Sequence, residues 1–158
     1  MNLQANPWLN ALLSEGAYVL EIDRKDIERH NAWVADKAKV KVIVGSIPEP
    51  FIGSFETASV VLLGLNPGHG PTDEPDHRDV EMKKAMFLNL NQESQAMDYP
   101  FYPWNPKFRK TGVANWWLPR TRELREATGL EPAMFARRLL VVEKRVLRSK
   151  TPMTVCGS

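Results

Sequence analysis

Asn66, Pro67, Gly68 and His69 form a polar corner directly behind the apolar run Val60-Val61-Leu62-Leu63, with Gly64 and Leu65 between them. Pro67 fixes its own φ and Gly68 is free to take φ > 0, so the run stops abruptly here. The carboxamide of Asn66 accepts a hydrogen bond through Oδ1 and donates through Nδ2. Backbone N–H groups around Gly68 to Gly70 can bind the oxygens of a base or a phosphate, as nests and helix starts do. The uninterrupted run Val60–Leu63 predicts a short strand buried on both faces, of the kind found in the middle of a parallel sheet. Its corner then lies at the strand's carboxyl end, where open α/β sheets bind ligands. Asn66 also has a plainer reading, as an Asx-type turn residue that closes the strand.

A second unusual stretch is Tyr99-Pro100-Phe101-Tyr102-Pro103-Trp104-Asn105-Pro106. Its prolines keep it out of regular structure, and a loop so rich in rings must either pack under the domain or line a pocket. His69, Asp73, Asp76 and His77 are the one cluster with metal-ligand chemistry. No fixed geometry is imposed on them, so a solvated loop is expected, with no metal and no cofactor. His30 has no partner at ligand spacing and reads as a surface or capping histidine.

Several function classes are excluded by composition. The chain has 158 residues, which suits one domain with a real core. Its 43% hydrophobic and 25% charged residues are ordinary for a globular protein. A net charge of +2 does not argue for nucleic acid, although Arg and Lys gather from Lys107 onward and the acids between Glu15 and Glu93. Cys156 is the single cysteine, which rules out an internal disulfide and a four-cysteine metal or iron–sulfur site. The amino terminus carries no signal-peptide pattern and no apolar run reaches membrane-spanning length, so a reducing, cytoplasmic setting is expected.

The elements that must position these residues follow from spacing. Asn6 to Leu13 reads as a short helix with Asn6 as N-cap and Pro7 at its first position. Asp23 to Ala35 reads as a second, with Ile27, Trp33 and Val34 near the core. Lys39 to Val44 reads as a strand, and Pro48 to Gly53 as an extended connection between prolines. Val80 to Leu90 predicts a helix whose Met82, Ala85, Met86 and Leu90 form one core-facing stripe. Asn115 to Thr128 predicts another, with Pro119 in its first turn, Gly129 as its stop, and at least one of Trp116 and Trp117 facing inward. Glu131 to Phe135 is one helical turn, and Arg138 to Glu143 a late strand. Alternating strands and helices give an α/β fold, with a mainly parallel central sheet flanked by helices. About three strands are convincing where a usual sheet has roughly five or six, so the domain is expected to be incomplete at its C-terminal end.

Leu62-Leu63-Gly64-Leu65-Asn66-Pro67-Gly68 resembles the first motif of the uracil-DNA glycosylase superfamily, and is closest to the Gly-Ile-Asn-Pro-Gly version of the mismatch-specific uracil/thymine glycosylases. His69 falls where classical uracil-DNA glycosylases carry the histidine of Gly-Gln-Asp-Pro-Tyr-His. The wider pattern of Pro48 to Gly53, Tyr99 to Tyr102 and Trp116-Trp117 is similar to uncharacterised bacterial members. The likeness runs from Asn6 to Glu143, within a glycosylase-like domain over 1–143 and a divergent tail over 144–158. It implies that superfamily's three-layer fold, DNA as partner, and hydrolysis of the N-glycosidic bond of a damaged or mismatched base. Such an enzyme extrudes its target nucleotide and stacks the base on a ring. The resemblance makes Asn66 the residue that positions the attacking water, with Gly64, Leu65, Pro67, Gly68 and His69 around the substrate. Phe101 is the candidate stacking ring and Tyr102 the second, on loop position alone.

The superfamily's second motif, a His-Pro-Ser or His-Ser element after a late strand, has no clear counterpart. Lys144 to Lys150 follows the strand instead, with Arg148-Ser149-Lys150 as a thin remnant. The tail therefore reads as a truncation or a shifted reading frame, which sequencing the gene past the codon for Ser158 in all three frames tests. Without that motif the fold can persist while excision is lost. A missing edge strand would also expose its neighbour to oligomerisation or aggregation. The alternative to an enzyme is a catalytically inactive nucleic-acid or nucleotide-binding module on the same scaffold. A third reading is an unrelated α/β protein that binds a small anion at Gly64 to Gly70. No P-loop, Gly-x-Ser-x-Gly elbow or dinucleotide fingerprint points elsewhere.

Overall fold

Leu139–Glu143, an apolar segment that ends in a carboxylate, is the middle strand of the sheet in the computed structural model, which describes residues 6–8, 18–34, 41–65, 68 and 70–144. In chain order the described helices and strands are α1 (Glu21–Trp33), β1 (Phe51–Gly53), β2 (Val60–Gly64), α2 (Asp73–Arg78), α3 (Val80–Leu90), α4 (Gly112–Thr128), α5 (Pro132–Arg138) and β3 (Leu139–Glu143). The sheet has the order β1-β3-β2. β2 runs parallel to β3, with Val60 opposite Leu139 and Gly64 opposite Glu143. β1 runs antiparallel to it, with Phe51 opposite Val142 and Gly53 opposite Leu140. The fold is thus α/β, but the described sheet is small and mixed where a mainly parallel one was expected.

Val60–Leu63 is a strand as predicted, yet it lies at the sheet's edge among the described residues, not at its centre. Successive side chains of a strand point to opposite faces. Val60 and Leu62 accordingly pack on the core, while Val61 is 55% and Leu63 84% exposed. An apolar run alone does not distinguish a central strand from an edge one. β3 takes the central place, with Leu139 and Val141 fully buried.

The core is built on that buried face of the sheet. From α3 come Met82, Ala85, Met86 and Leu90, all buried as their stripe predicts. The helix begins at Val80 because the Asp79 carboxylate accepts the Met82 N–H at 2.8 Å. The aromatic loop lies underneath, as two short 3-10 turns at Tyr102–Trp104 and Pro106–Phe108. Phe101, Tyr102, Trp104 and Phe108 are all buried there. Burial of each such ring stabilises the fold by about 1.5–3 kcal/mol. The loop is pinned at both ends: Phe101 N–H donates to the Ala136 carbonyl at 3.1 Å, and Trp104 Nε1–H to Thr121 Oγ1 at 2.9 Å.

Other expectations shift by a turn or a face. α1 spans Glu21–Trp33, with Ile27 and Val34 buried but Trp33 78% exposed. Ile27 and Val34 are seven positions apart and share a face after two turns, whereas Trp33 is rotated away from it. Lys41–Val44 does not form the expected strand, and Lys39 and Val40 lie outside the described residues. Val42 is held instead by Asn31 of α1: Val42 N–H donates to Oδ1 at 2.8 Å, and the Val42 carbonyl accepts Nδ2–H at 3.0 Å, while the Val44 carbonyl accepts the Tyr18 N–H at 2.8 Å. Pro48–Gly53 is more than a connection, since its last three residues are β1. α4 starts three residues earlier than expected, capped by Thr111 Oγ1, so Pro119 falls inside it and leaves the Asn115 carbonyl without its usual helical donor. Gly129 closes α4 at φ 63°, as predicted. Of the first helix only residues 6–8 are described; Asn6 Oδ1 accepts the Trp8 N–H at 3.1 Å. No described helix is long and apolar enough to cross a membrane. The predicted tail lies outside the described residues except for Lys144.

The outer edge of β1 is closed by a side chain. Asn89 of α3 accepts the Gly53 N–H at 3.0 Å and donates to the Phe51 carbonyl at 2.6 Å, and Ser94 Oγ–H donates to the Gly53 carbonyl at 2.8 Å. Asn89 is 1% exposed, so its removal orphans two buried backbone groups. Asn89→Leu is expected to destabilise the fold by about 2–5 kcal/mol, as the midpoint shift of urea unfolding will show.

Candidate active site

Gly64 ends β2 and Glu143 ends β3, side by side at the carboxyl end of the parallel pair. The Lys144 N–H donates to the Gly64 carbonyl at 3.0 Å and the Glu143 N–H to the Pro50 carbonyl at 2.9 Å, so three chain segments meet at this level. Directly paired residues share a face of the sheet. Glu143 therefore turns to the same side as Gly64, Leu139 and Val141. A Cβ on Gly64 would stand 2.2 Å from Glu143 Oε2, so the carboxylate occupies the space that Gly64 leaves vacant. Glu143 is only 9% exposed.

A second buried carboxylate immediately precedes Pro50. Glu49 is 4% exposed, and its Oε1 accepts the hydroxyl hydrogen of Tyr102. Burying a carboxylate is costly unless hydrogen bonds hold it, so side chains like these are kept by structure or by chemistry. Neither was singled out by sequence reasoning. Glu143 breaks an otherwise apolar strand at its last position, and Glu49 sits between two prolines. Those were the available signals, and they gain meaning only once β3 is known to be central.

The predicted site residues divide into three groups. Gly64, Leu65 and Gly68 lie at or just beyond the end of β2, with Leu65 and Gly68 exposed. Asn66, Pro67 and His69 lie outside the described residues. Phe101 and Tyr102, the expected stacking rings, are both fully buried. Phe101 meets the edge of Trp117 at 5.8 Å between centroids, and Tyr102 that of Phe108 at 6.4 Å. The 3-10 turns fold this loop under the domain, and the Tyr102 hydroxyl anchors Glu49.

The described acids near the corner act as struts. Asp73 Oδ2 accepts the Gly70 N–H at 3.1 Å, and Asp76 Oδ2 accepts the Gly112 N–H at 2.7 Å. His77 Nδ1 accepts the Ile47 N–H at 3.3 Å, which places the ring proton on Nε2. These bonds fix α2 against the corner, the start of α4 and the segment before β1. No group of three or more potential metal ligands occurs among the described residues. Beside these struts opens a cleft of about 460 Å³, whose walls include Tyr18, Ser46, His77, Arg78 and Lys83.

Trp116 and Trp117 part company on α4. Trp117 is half-buried against Phe101, whereas Trp116 is exposed with the Arg120 guanidinium 3.4 Å above its ring. That contact contributes about 0.5–1 kcal/mol at an exposed site.

The arrangement offers a carboxylate, a glycine that makes room for it, and the start of a polar turn, all at one end of a small sheet. No protein-family profile, curated protein or solved structure matches the chain. The Gly64–Glu143 contact makes its own prediction. Gly64→Ala should cost about 1–3 kcal/mol by pushing the carboxylate aside. In the Gly64→Ala/Glu143→Ala double variant most of that added cost disappears, as a double-mutant cycle by chemical denaturation will read.

Proposed function

We propose that this chain is a uracil-DNA glycosylase-like protein on that superfamily's three-layer scaffold, hydrolysing the N-glycosidic bond of a damaged or mismatched base in DNA. The observation that carries the reading is the place of the Gly64-Leu65-Asn66-Pro67-Gly68 signature: it begins at the carboxyl end of a strand, beside a buried carboxylate. That is the position from which a turn addresses a ligand in an α/β sheet. Asn66 orients the attacking water.

A second reading, a nucleic-acid or nucleotide-binding module without catalysis, draws support from the cleft walled by Arg78, Lys83 and His77. Arg78 pairs with Glu74 at the surface, an exposed contact that contributes little and yields readily to a phosphate. The exposed Trp116–Arg120 pair is likewise of a kind that stacks on single-stranded bases.

Base release from uracil- and mismatch-containing oligonucleotides separates the two. The enzyme reading expects release by the wild-type chain and a rate at least about 100-fold lower for Asn66→Ala. DNA binding that weakens linearly in log K against log salt, with no base released, identifies the module instead.

A further inference from the structure

Of the two adjacent indoles on α4, one is offered to solvent. Trp116 is 51% exposed, whereas Trp117 packs against Phe101. The Arg120 guanidinium lies over the Trp116 ring, 3.4 Å from its centroid, and Arg120 Nη1–H donates to the Trp116 carbonyl at 2.7 Å. Residues four apart on a helix share a face, so the two side chains form one unit on successive turns. The hydrogen bond holds the guanidinium in place before a partner arrives, so less freedom is lost on binding. Nucleobases stack on guanidinium planes as well as on aromatic rings, and the same cation attracts the neighbouring phosphate.

The surroundings carry matching charge. Between Lys107 and Arg125 the chain has six lysines and arginines against one acid, Glu123. Arg109 and Lys110, both exposed, directly precede Thr111, the N-cap of α4. A helix rises about 1.5 Å per residue, which puts Trp116 about 6 Å along the axis from Gly112. Two cations and the stacked pair therefore belong to the same end of α4. Asp76 meets that end from α2, and there the Gly112 N–H donates to its carboxylate at 2.7 Å. Glu123 stands about one turn beyond Arg120, so a polyanion runs from the pair toward Arg109 and Lys110, away from the acid. A platform that must stack on a base suits an unpaired strand, because the bases of a duplex already stack on each other.

We propose that the Trp116–Arg120 pair is the stacking platform of a surface for single-stranded DNA at the start of α4, with Arg109 and Lys110 on the phosphates. The inference rests on the nucleic-acid-binding reading and requires no base release.

The test titrates the full chain into a labelled oligothymidylate, its duplex with oligodeoxyadenylate, and a labelled oligouridylate, reading fluorescence anisotropy over a range of salt. The wild-type chain is expected to bind oligothymidylate at least about tenfold more tightly than the duplex. Trp116→Ala should raise the Kd for oligothymidylate about 5- to 150-fold, the loss of one stacked base, without changing the slope of log K against log salt. Trp116→Phe keeps a ring and should bind at least about threefold more tightly than Trp116→Ala. Arg120→Ala should raise the Kd about fivefold or more. Arg109→Gln and Lys110→Gln should each flatten the salt slope by about 0.7, one phosphate contact apiece. Trp33→Ala, which removes an exposed ring on α1, should stay within about twofold of the wild type. Trp116→Ala and Arg120→Ala both within about twofold of the wild type overturn this inference and leave the binding-module reading standing. Duplex bound as tightly as the single strand also overturns it, as does tighter binding of oligouridylate, which makes RNA the partner. No binding of any of the three removes the module reading and this inference together, while base release still decides the glycosylase reading.

Discussion

The double pairing of β3 is the constraint on which the rest of the structure depends. Leu139–Glu143 hydrogen-bonds to β2 in parallel and to β1 in antiparallel fashion, so both neighbours take their register from it. Two glycines follow from how closely the strands approach. At Gly53, φ is +118° and a Cβ would lie 2.3 Å from the Leu139 carbonyl oxygen. At Gly64, a Cβ would collide with the Glu143 carboxylate. β3 also aligns the three segments that converge at the candidate site, since Glu143 and Lys144 reach the Pro50 and Gly64 carbonyls on either side. A small sheet of this kind derives its order from its middle member.

Side-chain amides do work here that larger sheets assign to backbone. Asn31 satisfies both polar groups of Val42, and Asn89 bridges the Gly53 N–H and the Phe51 carbonyl. A carboxamide has the same donor and acceptor as a peptide group, which is why it can stand beside a strand as a neighbouring strand would. Asp would lack the donor and Leu both groups, so these positions are chemically narrow even though neither touches the candidate site. They tie α1 and α3 to the chain in a way no hydrophobic contact specifies.

What the sequence revealed, and what it hid, follows the same division. Val80–Leu90 was legible to the residue because its apolar stripe has helical spacing, and the structure adds the Asp79 cap. β3 was legible as a strand, displaced by one residue, from its uninterrupted Leu-Leu-Val-Val. Val60–Leu63 had the same appearance, but which apolar strand becomes central is decided by pairing across long sequence separations, which a local window does not contain. β1 was hidden by the prolines at 48 and 50, and the missing strand at Lys41–Val44 by Asn31, a partner eleven residues away. Of the candidate site, the strand that leads to the corner was legible, ending at Gly64. Glu143 and Glu49 were not, because a glutamate reads as solvent-exposed until its surroundings are known. Phe101 and Tyr102 were visible as unusual, yet a proline-rich loop gives no sign of whether its rings face inward.

The Asn89 bridge has an effect on the sheet as a whole. With β1 sealed by an amide and β2 presenting Val61 and Leu63 outward, lateral growth of this sheet is unidirectional. Among the described residues, the margin not bridged by Asn89 is that of β2. A strand added there would lie beside Val61 and Leu63, two aliphatic side chains that water now surrounds.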